Sequence, residues 1–283
     1  MHHSNLRDEE LLSVRWLSRI LDTLRKECPW DKAQTSDSLR YLTLEECYEL
    51  SDAILKADAG EQCKELGDIF MHTMFYAKIA EAEQKFTLCD VVDGICRKLI
   101  ARHPHIALPD RDGNLMAARG EASPGWEQVK MREGRKSVLE GVPNGTPPLL
   151  KALRMQEKAA GMGYEFPDEA SAFDKVREEY SELRAALAER DASQTAQPAS
   201  ESAQADEAQR NVEEEFGDLL FALVKWGRFI GVNADSALSR ANMKFQHRFG
   251  FMEQQATQQG KRLDQLSLAE MDALWQAAKR EEH

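Results

Sequence analysis

The chain has 283 residues, 49 acidic and 37 basic, for a net charge of −12, and 42% of it is hydrophobic. That apolar share supports a packed core and excludes wholesale disorder, while the acidic balance argues against a binder of nucleic-acid polymers. No run approaches the ~20 consecutive apolar residues of a membrane span, and Met1 to Leu12 lacks an apolar signal-peptide region, so no membrane association and a cytoplasmic location are expected.

Helical periodicity dominates the chain. Residues 9–27 place Leu12, Trp16, Ile20 and Leu24 at four-residue steps, one face of an amphipathic helix that Cys28-Pro29 ends. Helices are predicted over 39–57, 61–83 and 90–102, with Leu39, Leu42, Ile69, Met74, Val92 and Leu99 among their apolar positions. Residues 103–125 hold three prolines and three glycines and read as loop, followed by a short helix at 126–136. The strongest breaker is Gly141-Val-Pro-Asn-Gly-Thr-Pro-Pro148. It predicts a linker over 141–148 between an N-terminal module, 1–140, and a C-terminal module, 149–283. Helical patterns resume at 149–160, 169–189, 211–230, 235–259 and 267–281, the last opening on the capping box Ser267-Leu-Ala-Glu270. Residues 190–210 carry no apolar side chain larger than alanine apart from Pro198 and predict a mobile insertion. The five cysteines form no CxxC pair and are odd in number, which favours reduced thiols over disulfides or a zinc site.

The chain repeats itself. Glu45-Glu46-Cys-Tyr-Glu49 is followed by Glu65-Leu-Gly-Asp68, and Glu178-Glu179-Tyr-Ser-Glu182 by Glu215-Phe-Gly-Asp218. A basic element follows each, Lys98 to Arg102 and Lys244 to Arg248. Three matching elements in one order imply tandem duplication of a helical module. The fold class is therefore all-α: two helical-bundle modules, each with a four-carboxylate cluster between helices.

Helical positions i and i+3 share a face, so Glu46 projects with Glu49, Glu65 with Asp68, Glu179 with Glu182, and Glu215 with Asp218. Bare carboxylates gathered at one place repel, which implies a cation. All-oxygen donors favour Mg²⁺, with Mn²⁺ as an alternative, and Mg²⁺ commonly bridges to phosphates. Lys175, Lys244 and Arg248 are suited to phosphate charge. A single EExxE is ordinarily a solvated helix face, and the doubled constellation is what singles these residues out. Glycine costs ~1 kcal/mol inside a helix relative to alanine, so Gly67 and Gly217 predict close approach to a neighbouring helix or ligand. His103 and His105 read as a surface pair at a loop, and His72 and His247 as packing or polar-face residues.

The double EExxE…ExxD repeat, Cys28-Pro-Trp-Asp-Lys32 and Arg102-His-Pro-His105 together resemble MazG, the nucleoside triphosphate pyrophosphohydrolase family. The resemblance spans residues 10 to 282. It implies an all-α homodimer that hydrolyses NTPs and dNTPs to the monophosphate and pyrophosphate with Mg²⁺, as nucleotide-pool house-cleaning. It implies metal ligands at Glu179, Glu182, Glu215 and Asp218, with Glu46, Glu49, Glu65 and Asp68 as the equivalent first set. Nucleotide contacts are implied at Lys175, Val176, Arg177, Glu178 and Glu179, at Asn211, Val212, Glu213 and Glu214, at Asp218, at Lys244, Phe245, Gln246, His247 and Arg248, and at Trp275. Glu178 or Glu179 is the candidate proton acceptor and Lys244 the candidate leaving-group cation. Trp275 is a candidate base-stacking residue or a packed core residue. Two other readings stay open: a narrower pyrophosphohydrolase, dUTPase-like or phosphoribosyl-ATP-like, and a non-catalytic N-terminal module that binds nucleotide or a regulatory protein.

Overall fold

The computed structural model describes residues 8–118, 136–196 and 202–281. The chain divides into two compact units, Met1–Ser123 and Pro124–His283. Among the described residues the regular structure is helical, with one isolated antiparallel bridge, Pro109 to Leu115. No described helix is long and apolar enough to cross a membrane.

The first unit contains α1 (Asp8–Glu27), α2 (Pro29–Ala33), α3 (Ser36–Leu55), α4 (Ala59–Ala82) and α5 (Leu88–Arg102). Reciprocal capping boxes, Thr35 with Ser38 and Thr87 with Asp90, start α3 and α5. A core of Leu21, Leu39, Met74, Phe75 and Ile79 joins α1, α3 and α4, with Leu17, Leu42 and Met71 packed against it. The expected face of α1 is corrected here. Leu17 and Leu21 turn inward, while Leu12, Trp16, Ile20 and Leu24 are exposed, Trp16 by 69%. A row of four-residue steps winds ~40° around the helix at each step, and the core takes the flank that Leu17 and Leu21 occupy.

A short turn joins α3 to α4. Asp58 N–H donates to Ala53 O and Ala57 N–H to Ile54 O, the paired bonds of a Schellman ending, with Ala57 at φ 55°. Asp58 then caps α4, its Oδ1 accepting from Gly60 and Glu61 N–H. The same two-bond ending closes α6 at Gly163 and α9 at Gly260, where glycine takes the left-handed conformation freely.

The second unit contains α6 (Pro148–Ala160), α7 (Glu169–Ala196), α8 (Ser202–Phe229), α9 (Ala234–Gln258), a 3₁₀ turn (Leu263–Gln265) and α10 (Leu268–Glu281). Leu183, Ala186 and Val212 bury between α7 and α8, with Leu187 and Leu219 against them. Gln156 on α6 donates to Phe221 O at 2.8 Å. Buried Lys158 donates to Val138 O, which ties the chain ahead of the 141–148 breaker to α6. The Ser267–Glu270 capping box forms as predicted.

The insertion expected as loop is largely helix: residues 190–196 extend α7 and 202–210 begin α8. Ala, Gln, Glu and Arg are strong helix formers, and extending an existing helix requires no new nucleus. Residues 197–201 lie outside the described residues, as do 126–135, where a short helix is predicted.

Glu165, in the turn before α7, bridges two cations of α8, Lys225 and Arg228. Burial pushes its carboxyl up, but the Lys225 and Arg228 hydrogen bonds outweigh that and hold it below 4.5. The stabilisation this lowered pKa confers is therefore complete above pH 4.5 and is lost as pH falls through the folded value. Urea midpoints at pH 7 and pH 3 check it: Glu165→Gln is destabilising at pH 7, and its gap from wild type narrows at pH 3. Ala57→Gly relieves the left-handed alanine and raises the stability of the first unit by ~1 kcal/mol, read as a higher denaturation midpoint.

Candidate active site

Antiparallel packing of α3 on α4 delivers the first cluster. One oxygen each from Glu46, Glu49 and Glu65 lies within 4.8 Å of the others. The α7–α8 pair does the same with Glu179, Glu182 and Glu215, again within 4.8 Å. Asp68 follows Glu65 by one turn, and its charge acts on both Glu46 and His72. Asp218 follows Glu215 by one turn and is exposed.

Each cluster has one deep carboxylate and one lysine on it. In the first, Glu65 is 2% exposed and Lys64 Nζ lies 3.0 Å from its Oε1. In the second, Glu179 is 7% exposed, and Lys175 Nζ lies 2.7 Å from its Oε1 and 2.8 Å from Glu178 Oε1. The lysines come from opposite helices. Aligning the repeats sets Leu42 at the place of Lys175, and Glu214 at the place of Lys64.

The electrostatics register the crowding. Burial, a hydrogen bond with Glu65, and the charges of Asp68 and Glu49 push Glu46 up to about 7. Burial and the charge of Glu179 raise Glu182 as well, with Lys175 opposing. The Lys64 hydrogen bond holds Glu65 below its usual range. Lys175 is raised by its bonds to Glu178 and Glu179 and stays charged. Glu65 Oε2 is buried and accepts no hydrogen bond. An orphaned buried carboxylate oxygen among all-oxygen neighbours suits a hard divalent cation.

Beneath the first cluster lies a buried polar relay. Thr43 Oγ1 lies 3.1 Å from Leu39 O, 2.7 Å from Tyr76 Oη and 3.1 Å from His72 Nδ1, and its one hydroxyl proton is shared among these hydrogen bonds. Burial lowers the pKa of His72, with Asp68 opposing, so the ring is neutral at pH 7. The second unit places Val176, Ala222 and Trp226 at these positions. Neither this relay nor Lys64 is legible from spacing alone, although Lys64 stands next to Glu65 in sequence.

The remaining site residues fall in three groups. Glu178, Arg177, Glu213 and Glu214 are exposed beside the second cluster, and Asn211 is half-buried one turn before Glu215. Val176 and Val212 face the core instead. Lys244, Phe245, Gln246 and His247 are exposed on α9, and Arg248 lies with its guanidinium carbon 5.3 Å from the centre of the Trp275 ring. Phe245 packs on the same ring at 5.4 Å, so Trp275 is part of an α9–α10 aromatic contact. A methyl group added at Gly67 or Gly217 would meet no atom within 4 Å, so neither glycine serves the close helix approach predicted for it among the described residues.

A cleft opens at the turn end of each helix pair. In the first unit it has a volume of about 340 Å³ and is lined by Glu49, Asp52, Lys56, Asp58, Glu61 and Glu65. In the second, lengthened by the helix extensions, it has a volume of about 560 Å³.

Comparisons with known proteins agree with this arrangement. The MazG nucleotide pyrophosphohydrolase domain matches residues 34–107, which span α3 to α5. The chain is 35% identical over 278 residues to the nucleoside triphosphate pyrophosphohydrolase of Escherichia coli K12, covering 97% of each. It is 34% identical over 284 residues to the nucleoside triphosphate pyrophosphohydrolase/pyrophosphatase MazG of Thermotoga maritima, covering 99% of this chain and 98% of that one. It is also 38% identical to Bacillus subtilis YabN over 260 residues, 90% of this chain and 49% of the relative. Near-complete coverage by two such relatives, with both carboxylate repeats in place, establishes that the chain belongs to the MazG nucleotide pyrophosphohydrolase family.

Proposed function

We propose that the protein is a Mg²⁺-dependent nucleoside triphosphate pyrophosphohydrolase, acting on NTPs and dNTPs in nucleotide-pool house-cleaning, with the second unit carrying turnover. The observation that carries this reading is the Glu179–Glu182–Glu215 cluster with Lys175 already seated on it. The named relatives support the reaction class. The first unit keeps its carboxylates but has Leu42 at the place of Lys175, which favours a lesser role there in handling a triphosphate.

Glu179, Glu182, Glu215 and Asp218 would hold the cation, and Glu46, Glu49, Glu65 and Asp68 the equivalent ion of the first unit. Bound there, Mg²⁺ supplies charge neutralisation for the triphosphate and acidifies water. Water adds at the α-phosphorus, the bond to the bridging oxygen breaks, and NMP and pyrophosphate leave. Glu178 or Glu179 accepts the water's proton. Lys175, charged and between these two carboxylates, moves its ammonium to the phosphates as they arrive. Lys244 and Arg248 counter the charge that develops on pyrophosphate. Arg248 over Trp275 couples that cation to the last helix. A cytoplasmic homodimer fits the exposed apolar side chains Tyr180, Phe216 and Leu220 on α7 and α8.

Product analysis tests the reaction. With Mg²⁺, each common NTP yields pyrophosphate, and EDTA abolishes release; orthophosphate as the sole first product would overturn attack at the α-phosphorus. Paired variants assign the working unit. Glu179→Gln lowers kcat/KM on the order of 100-fold, and Glu46→Gln lowers it less; the reverse order would move turnover to the first unit.

A further inference from the structure

The carboxylates and lysine of the second cluster account for the phosphate end of a nucleotide. The large cleft beside it has an expected nucleotide contact only at Asn211 and Glu214, and its remaining walls have no role so far. Its lining is Glu189, Ser193, Glu207, Arg210, Asn211 and Glu214. Glu189 lies two turns beyond Glu182 on α7, and Asn211 one turn before Glu215 on α8, so the cleft continues the faces that carry the cluster. Its volume of about 560 Å³ falls within the ~300–1,000 Å³ usual for small-molecule sites. Three of its walls exist only because the helices extend past the cluster: Ser193, Glu207 and Arg210 all lie in the 190–210 segment.

The charge of the lining decides which end of the nucleotide fits. Three glutamates against one arginine repel a triphosphate, so phosphates cannot occupy this space; the sugar and base can. Carboxylates accept hydrogen bonds only, and Arg210 only donates them. A base that suits both offers adjacent N–H donors on one edge and acceptors on another. Guanine does so: N1–H and N2–H₂ face a carboxylate as a pair, and O6 and N7 face a guanidinium. Uracil offers one ring N–H between two carbonyl oxygens, which would meet the glutamates unfavourably. The Ser193 hydroxyl donates to Glu189 O at 2.9 Å, which fixes its oxygen as an acceptor toward the cleft.

We propose that the extended ends of α7 and α8 form a base-selecting subsite that favours guanine nucleotides over uracil nucleotides. The inference rests on the pyrophosphohydrolase reading of the neighbouring cluster and adds the determinant of base preference. In the first unit the tight Lys56–Asp58 turn leaves a smaller cleft, with Lys56 and Glu61 at the places of Glu189 and Asn211.

Two measurements on the full-length protein test it. The first is the ratio of kcat/KM for GTP to that for UTP, read as pyrophosphate release with Mg²⁺. The second is calorimetric binding of GMP and UMP with Mg²⁺, which needs no turnover. Wild type favours the guanine nucleotide by about tenfold in both. Glu207→Gln and Arg210→Ala each reduce that ratio, and replacing 190–210 by the Ala57-Asp-Ala-Gly60 turn of the first unit brings it near one. The ratio is read only from variants whose far-UV circular dichroism and UTP turnover match wild type, which sets a folding defect apart from an unchanged ratio. A wild-type ratio near one, or a ratio unchanged in all three variants, overturns the subsite. No pyrophosphate from any NTP overturns the hydrolase reading alone, and the GMP and UMP affinities then decide the subsite by themselves.

Discussion

Like charges held close on a helix pair set the terms for everything else in this molecule. Carboxylates within 4.8 Å of one another destabilise the pair that presents them, and the pair survives because apolar contacts lie directly beneath. Leu39, Met74 and Ile79 lock α3 to α4, and Leu183, Ala186 and Val212 lock α7 to α8. Those contacts are permanent, whereas the repulsion lapses when a cation is bound. The fold is therefore stabilised from one side and poised for a ligand from the other. The lysines at Glu65 and Glu179 moderate the repulsion without abolishing it, as the raised Glu46 and Glu182 carboxyls record.

The helices and the clusters were legible because both depend on spacing along the chain. Apolar recurrence predicts α3, α4 and α9 to within a few residues, and i, i+3 carboxylates on two antiparallel helices must converge once those helices pack. What escaped prediction depends on partners distant in sequence or on cooperative extension. The apolar row on α1 is real, yet which flank the core takes depends on where α4 lies. The 190–210 segment lacks bulky apolar residues, so burial arguments predict a loop; its alanines and long polar side chains nonetheless propagate helices already nucleated on either side. Thr43, His72 and Tyr76 are 29 and 33 residues apart and meet only through the packing of α3 on α4.

The two units have diverged while keeping the same carboxylates. The first holds a polar relay under its cluster where the second has Val176, Ala222 and Trp226, and Phe75 in its core where the second has the ion-paired Lys225. Moving the lysine from one helix to the other preserves local neutrality but changes what an incoming anion meets. In the second unit it meets an ammonium on the EExxE helix; in the first it meets a leucine there. Duplication thus separates two demands that a single site must reconcile, stable packing under the cluster and open cationic groups around it.

The helix extensions of the second unit also bear on how such a molecule can change. A residue inserted between Glu179 and Glu182 would rotate everything after it by ~100° and scatter the ligands. Residues added at the tip of the α7–α8 hairpin rotate nothing, because each helix keeps its own phase relative to the cluster. Glu182 and Glu215 stand 33 positions apart where Glu49 and Glu65 stand 16 apart, yet each set converges to within 4.8 Å. The far ends of α7 and α8 can thus lengthen in an otherwise phase-locked structure, acquiring new surface while the chemistry below stays in register.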